Sequence, residues 1–108
     1  MNGEHRKLLT ETNKLKIAYT RMYSVLSDYI WDFDIVAALV EVEVETYRLF
    51  PDLELLRNNI RTLRMLVRQV VDRKDDDRIL SAIDTFSKAV NDVEEVYVKI
   101  DYPKEVLV

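Results

Sequence analysis

Apolar residues recur along this chain in alternating steps of four and three, the spacing that keeps side chains on one face of a helix. Ile79, Ile83, Phe86, Val90, Val93, Tyr97 and Ile100 form the cleanest series. Leu53, Leu56, Ile60, Leu63, Val67 and Val70 repeat the rhythm upstream, and Leu15, Tyr19, Met22, Leu26, Tyr29 and Phe33 do so near the start. These stripes predict three helices.

The stretch between the first two stripes along the chain fits two periods. Val40, Val42 and Val44 alternate with Glu41, Glu43 and Glu45 as in a half-buried strand, while Leu39, Val42, Thr46 and Leu49 continue a helical spacing from Ile35. The alternation lasts only from Val40 to Glu45, and a lone strand among helices would leave its backbone groups without partners. A fourth helix is therefore expected. At roughly 100° per residue, Val36, Leu39, Val40, Tyr47 and Phe50 surround Glu43, which is expected to point inward. Glu41 and Glu45 fall on the opposite, polar side with Arg48.

The corners follow from local chemistry. Pro51 is expected to stop the fourth helix at about Phe50, and Asp52 can cap the next one. Lys74-Asp75-Asp76-Asp77 reads as a polar corner with capping carboxylates before Ile79. At the first corner Asp32 or Asp34 can cap a new helix. However, Leu26, Tyr29, Phe33, Val36, Val40, Glu43, Tyr47 and Phe50 also keep an unbroken rhythm with no Gly or Pro between them. The fold class is thus all-α, an antiparallel four-helix bundle formed by residues 1–108 as a single domain. Its alternative is one long first helix, about residues 4–50, in a dimeric helical bundle whose exposed stripe a second chain covers.

Composition narrows the function classes. A chain of 108 residues that is 48% hydrophobic and 33% charged is globular, and one Gly and two Pro leave little material for hairpin turns. The absence of Cys removes disulfides, thiolate zinc sites and cysteine nucleophiles. Residues 1–16 lack an apolar signal-like core, and no stretch reaches the roughly 18 apolar residues of a membrane span. A cytoplasmic protein without membrane contact is expected. Phosphate cradles need glycines where backbone approaches ligand, and nothing after Gly3 can serve. His5 is the only histidine, which leaves no material for a Ser-His triad or a Glu-x-x-His metal bundle.

The remaining candidates lie on helix faces. A carboxylate at Glu43 amid apolar neighbours would be tied to an Arg or Tyr across the bundle, or would serve chemistry. Glu41 and Glu45 lack a matching acidic helix for a metal site, and the Asp75-Asp76-Asp77 run lacks the spaced ligands of a calcium loop. Arg57, Arg61, Arg64 and Arg68, at steps of four, three and four, form the most organised polar feature and are the candidate partner-binding residues. Ion pairs to Glu41 and Glu45 on the preceding antiparallel helix are the first reading of this stripe. An acidic protein partner is the second, and nucleic acid comes third because the formal net charge is −4. Trp31 falls at the uncertain first corner, either filling the bundle end or sitting in a subunit contact. The tail Tyr102–Val108 ends apolar and could dock on the bundle or be captured by a partner.

The sequence thus predicts a small helical protein without enzymatic activity or cofactor. It acts through protein–protein interaction or self-association, with a homodimer as the expected state, because the apolar arc from Val36 to Phe50 is wider than one core seam requires. A nucleic-acid-contacting regulator using the arginine stripe is the alternative, and an enzyme holding a metal through carboxylates stands third.

Overall fold

Four helices form where the apolar stripes predict them, in a computed structural model that describes residues 3–100. They are α1 (Gly3–Leu26), α2 (Phe33–Thr46), α3 (Leu53–Val70) and α4 (Arg73–Lys99). The tail Tyr102–Val108 lies outside the described residues.

Each helix packs against its neighbour in chain order, and α4 closes back on α1 through the most extensive contact. Cross-links between helices fix the directions. On α3 and α4, Arg57 meets Glu94 and Arg64 meets Asp84, so residue numbers run in opposite senses. Between α1 and α4, Tyr19 meets Phe86 while Tyr29, just past the end of α1, bonds Asp75, again in opposite senses, and the Tyr19 hydroxyl also donates to the Leu39 carbonyl of α2 at 3.2 Å. The bundle is antiparallel, as the short corners require. The long α1–α4 pair, of 24 and 27 residues, is flanked by the shorter α2 and α3, of 14 and 18.

The three clean stripes supply the core. Leu15, Met22 and Leu26 from α1, Leu56, Leu63 and Val67 from α3, and Ile79, Ile83, Phe86, Val90 and Val93 from α4 are fully buried. Phe86 meets the Tyr19 ring edge-on at 6.4 Å between centroids. A helix end is tied down at each extremity of the bundle. The Tyr29 hydroxyl donates to Asp75 at 2.7 Å, and the Tyr97 hydroxyl donates to the Pro51 carbonyl at 2.9 Å. Bonding to Asp75, reinforced by burial, holds the Tyr29 hydroxyl above its ordinary pKa.

Three boundaries differ from expectation. First, the long helix over residues 4–50 does not form. The chain leaves α1 at Leu26, makes a 3₁₀ turn over Ser27–Tyr29, and restarts at Phe33 with Asp32 as N-cap, its carboxylate accepting the Ile35 N–H at 3.0 Å. The break shifts the helical phase, so Phe33 drops off the Leu15–Tyr29 stripe and becomes 81% exposed.

Second, α2 ends at Thr46 rather than at Phe50. Its final turn is replaced by a corner in which the Glu45 carboxylate accepts the Asp52 N–H at 2.6 Å. Leu49, expected to continue the buried series, is therefore 77% exposed. Asp52 caps α3 as expected, accepting the N–H groups of Glu54 and Leu55 at 3.1 and 3.2 Å.

Third, Lys74-Asp75-Asp76-Asp77 is not a corner. It belongs to the opening of α4, which begins at Arg73. Carboxylates in a first helical turn are favoured by the dipole and the unbonded N–H groups there, so the acidic run starts the helix instead of separating two.

Candidate interaction surfaces

On α2 the sequence carries two interleaved apolar series, and only one faces the core. Ile35, Ala38, Leu39 and Val42 are buried, and the series continues through Glu45 and Thr46. The other series, Phe33, Ala37, Val40, Val44 and Tyr47, runs in steps of four, three, four and three along the outer face. Phe33, Val40, Val44 and Tyr47 are 81, 51, 55 and 55% exposed, and Trp31 at the Phe33 end of the seam is 70% exposed. Val36 is half-buried beside them.

The expectation for Glu43 is accordingly corrected. Its side chain lies on the exposed flank of α2 that faces α1, where the Tyr19 hydroxyl is 3.4 Å from its carboxylate. Burial, then the Glu43 charge and hydrogen bond, hold the Tyr19 hydroxyl far above its ordinary pKa. Glu45, expected on the polar side, is buried instead. Besides accepting the Asp52 N–H, its carboxylate pairs with Arg48 Nε at 3.2 Å. Among the described residues Glu11, on the core side of α1, is the other buried carboxylate, with Lys14 Nζ at 3.5 Å. The arc that surrounds Glu43 mixes the buried Leu39 with the exposed Val40 and Tyr47, so its centre falls on the flank of α2 and not on the core.

Charge is segregated by helix on this side of the bundle. Asp34, Glu41, Glu43 and Glu45 are the ionisable residues of α2, with no Lys or Arg. On α3 only Glu54 opposes four arginines. Asp34 and Glu41, with Ala37, Ala38, Asn59, Thr62, Met65 and Leu66, line the groove between the two helices.

The arginine stripe forms as a stripe but does not pair with α2. Arg57 bonds Glu94 at 2.8 Å and Asn91 at 2.9 Å, and Arg64 bonds Asp84 at 2.7 Å, so both turn toward α4. The Arg57 guanidinium holds the Glu94 carboxyl below the usual range. Arg61 and Arg68 stay exposed on the outer edge, where Arg61 bonds only the neutral Asn58 side chain. Neither has a carboxylate within ion-pair distance among the described residues. The four candidate partner-binding residues thus divide into two that clamp α3 to α4 and two left outward.

Other candidates acquire no site geometry. Glu41 is solvated on the groove edge, His5 is exposed on the first turns of α1, and Asp75 is held by Tyr29. Among the described residues, no group of three or more His, Asp or Glu side chains is placed to hold a metal ion, and no helix is long and apolar enough to cross a membrane. What the described surface offers to another molecule is therefore an apolar seam on α2 and a basic edge on α3. Comparison with known proteins adds no relative to this picture: no family model, no curated protein and no solved structure matches the chain.

Proposed function

We propose that the protein works by association rather than by chemistry, and that its first partner is a second copy of itself, docked through the outer face of α2. The observation that carries this reading is the exposed seam of Phe33, Ala37, Val40, Val44 and Tyr47. A solvated helix normally turns a polar back to water, and an uninterrupted apolar stripe there marks a contact surface.

Area and register favour a second copy. An aromatic side chain offers roughly 150–250 Å², so Phe33, Trp31 and Tyr47 at their exposures, with Val40 and Val44 about half exposed, supply roughly 500 Å². Doubled by a twofold axis, that comes to about 1,000 Å² in total, the area a biological interface must clear. Antiparallel pairing centred on Val40 sets Phe33 against the partner's Tyr47 and brings Ala37 to within one residue rise, about 1.5 Å, of the level of the partner's Val44. Bulky side chains then close the two ends and small ones allow close approach in the middle. Lys16 Nζ, 5.4 Å from the centre of the Tyr47 ring, steadies that end of the seam.

The test is a dilution series followed by sedimentation and by Trp31 emission. A dimer at micromolar concentration should dissociate on dilution, and Trp31 emission should shift to the red as its ring returns to water. A monomer at every concentration, with unchanged emission, would overturn the proposal.

A further inference from the structure

The basic edge of α3 is separate from the seam on α2 and has its own logic. Arg61, Met65 and Arg68 stand at positions i, i+4 and i+7, one straight stripe on the outward side of the helix. Met65 is 54% exposed between the two arginines. With Arg64 and Gln69 they line a shallow depression of about 410 Å³. Arg57 and Arg64 have their charge answered by Glu94 and Asp84, whereas among the described residues no carboxylate pairs with Arg61 or Arg68. The edge therefore keeps positive charge on a chain whose net charge is −4.

We propose that this edge docks an acidic amphipathic helix of a partner protein, one that sets a leucine-like side chain on Met65 between two carboxylates held by Arg61 and Arg68. Charge complementarity selects the acidic partner, since a guanidinium takes a carboxylate through two parallel N–H bonds. Met65 selects an amphipathic partner over a phosphate backbone. Its flexible thioether adapts to an apolar side chain and has nothing to offer a phosphodiester. The stripe also contains no aromatic ring on which a base could stack.

The probe is a fluorescein-labelled synthetic helix with two glutamates seven residues apart and a leucine between them, followed by anisotropy. A peptide with serine in place of leucine and a single-stranded DNA 20-mer serve as comparisons. The leucine peptide should bind at least about tenfold more tightly than either. The double substitution Arg61→Ala/Arg68→Ala should abolish that binding, and Met65→Ser should bring the leucine peptide down to the level of the serine one. Thermal melts of both variants should match the parent, because all three side chains are exposed. Failure of the leucine peptide to bind at 100 µM, on the order of the weakest affinity such an edge would need, would overturn the proposal. So would equal binding by the double variant, or tighter binding of the DNA.

Discussion

Val40→Glu is expected to leave the protein folded and to make it monomeric. Val40 is half exposed on the middle of the α2 outer face, so the bundle loses little by the change, about 0.5 kcal/mol or less as for other surface substitutions. The proposed dimer loses far more. With the twofold axis beside Val40, the substitution puts two carboxylates opposite each other in an apolar contact that Glu41 and Glu43 already flank with negative charge. Burying a charge without a counter-ion costs several kcal/mol, and each 1.4 kcal/mol is a tenfold change in affinity, so dissociation should tighten no further than high micromolar. Sedimentation velocity of the parent and the variant at equal concentration checks this, with circular dichroism to verify the fold. The same substitution at Val98, equally apolar and still more exposed but on α4, should leave association unchanged.

The largest loss of stability from a single polar residue is expected at Glu45. Its carboxylate is 4% exposed and receives the N–H of Asp52, the residue that caps α3. It thereby ties the end of α2 to the start of the next helix across a corner built around Pro51. Glu45→Leu fills the space but removes the charged acceptor of the Asp52 N–H, a loss of about 1.5–3 kcal/mol. In a domain of this size each kcal/mol lowers the melting temperature by roughly 4–8 °C. Glu45→Gln keeps an acceptor for that N–H and should lose less. Arg48→Ala should lose least, because the Arg48 side chain is largely in water and its ion pair is screened. Thermal melts of the three variants should fall in that order. Equal, small shifts would mean that the corner is held by Tyr97 and Pro51 alone.

The fold was legible wherever one apolar series dominates its helix. The stripes of α1, α3 and α4 are each flanked by charged residues, so only one face could be buried, and the core from Leu15 to Val93 follows from them. Of the two caps offered for α2, Asp32 acts and Asp34 lies inside the first turn, and Asp52 caps α3 as expected. On α2 the pattern was ambiguous for a physical reason. Two apolar series interleave, and periodicity reports their spacing without saying which side meets the other helices. Centring the apolar arc on Glu43, among Val36, Leu39, Val40, Tyr47 and Phe50, put Glu43 inside and Glu45 outside, the reverse of what the bundle does. The exposed seam is the other side of that ambiguity, and the width of the apolar arc from Val36 to Phe50 is its signal in the sequence. The arginine stripe was legible as a feature but not in its division of labour, because which arginines meet Glu94 and Asp84 depends on the register of α3 against α4.

The chain contains no cysteine, which makes one measurement on the central claim direct. A single Val40→Cys substitution places a thiol next to the proposed twofold axis, where docking through this face would bring the two Cα atoms within the roughly 4.4–6.8 Å a disulfide needs. Mild oxidation at micromolar protein should link this variant into a covalent dimer rapidly and almost completely, while Val98→Cys and Ile17→Cys, exposed on α4 and α1, stay monomeric over the same time. Equal rates for the three variants would contradict the claim that copies of this protein meet through the outer face of α2.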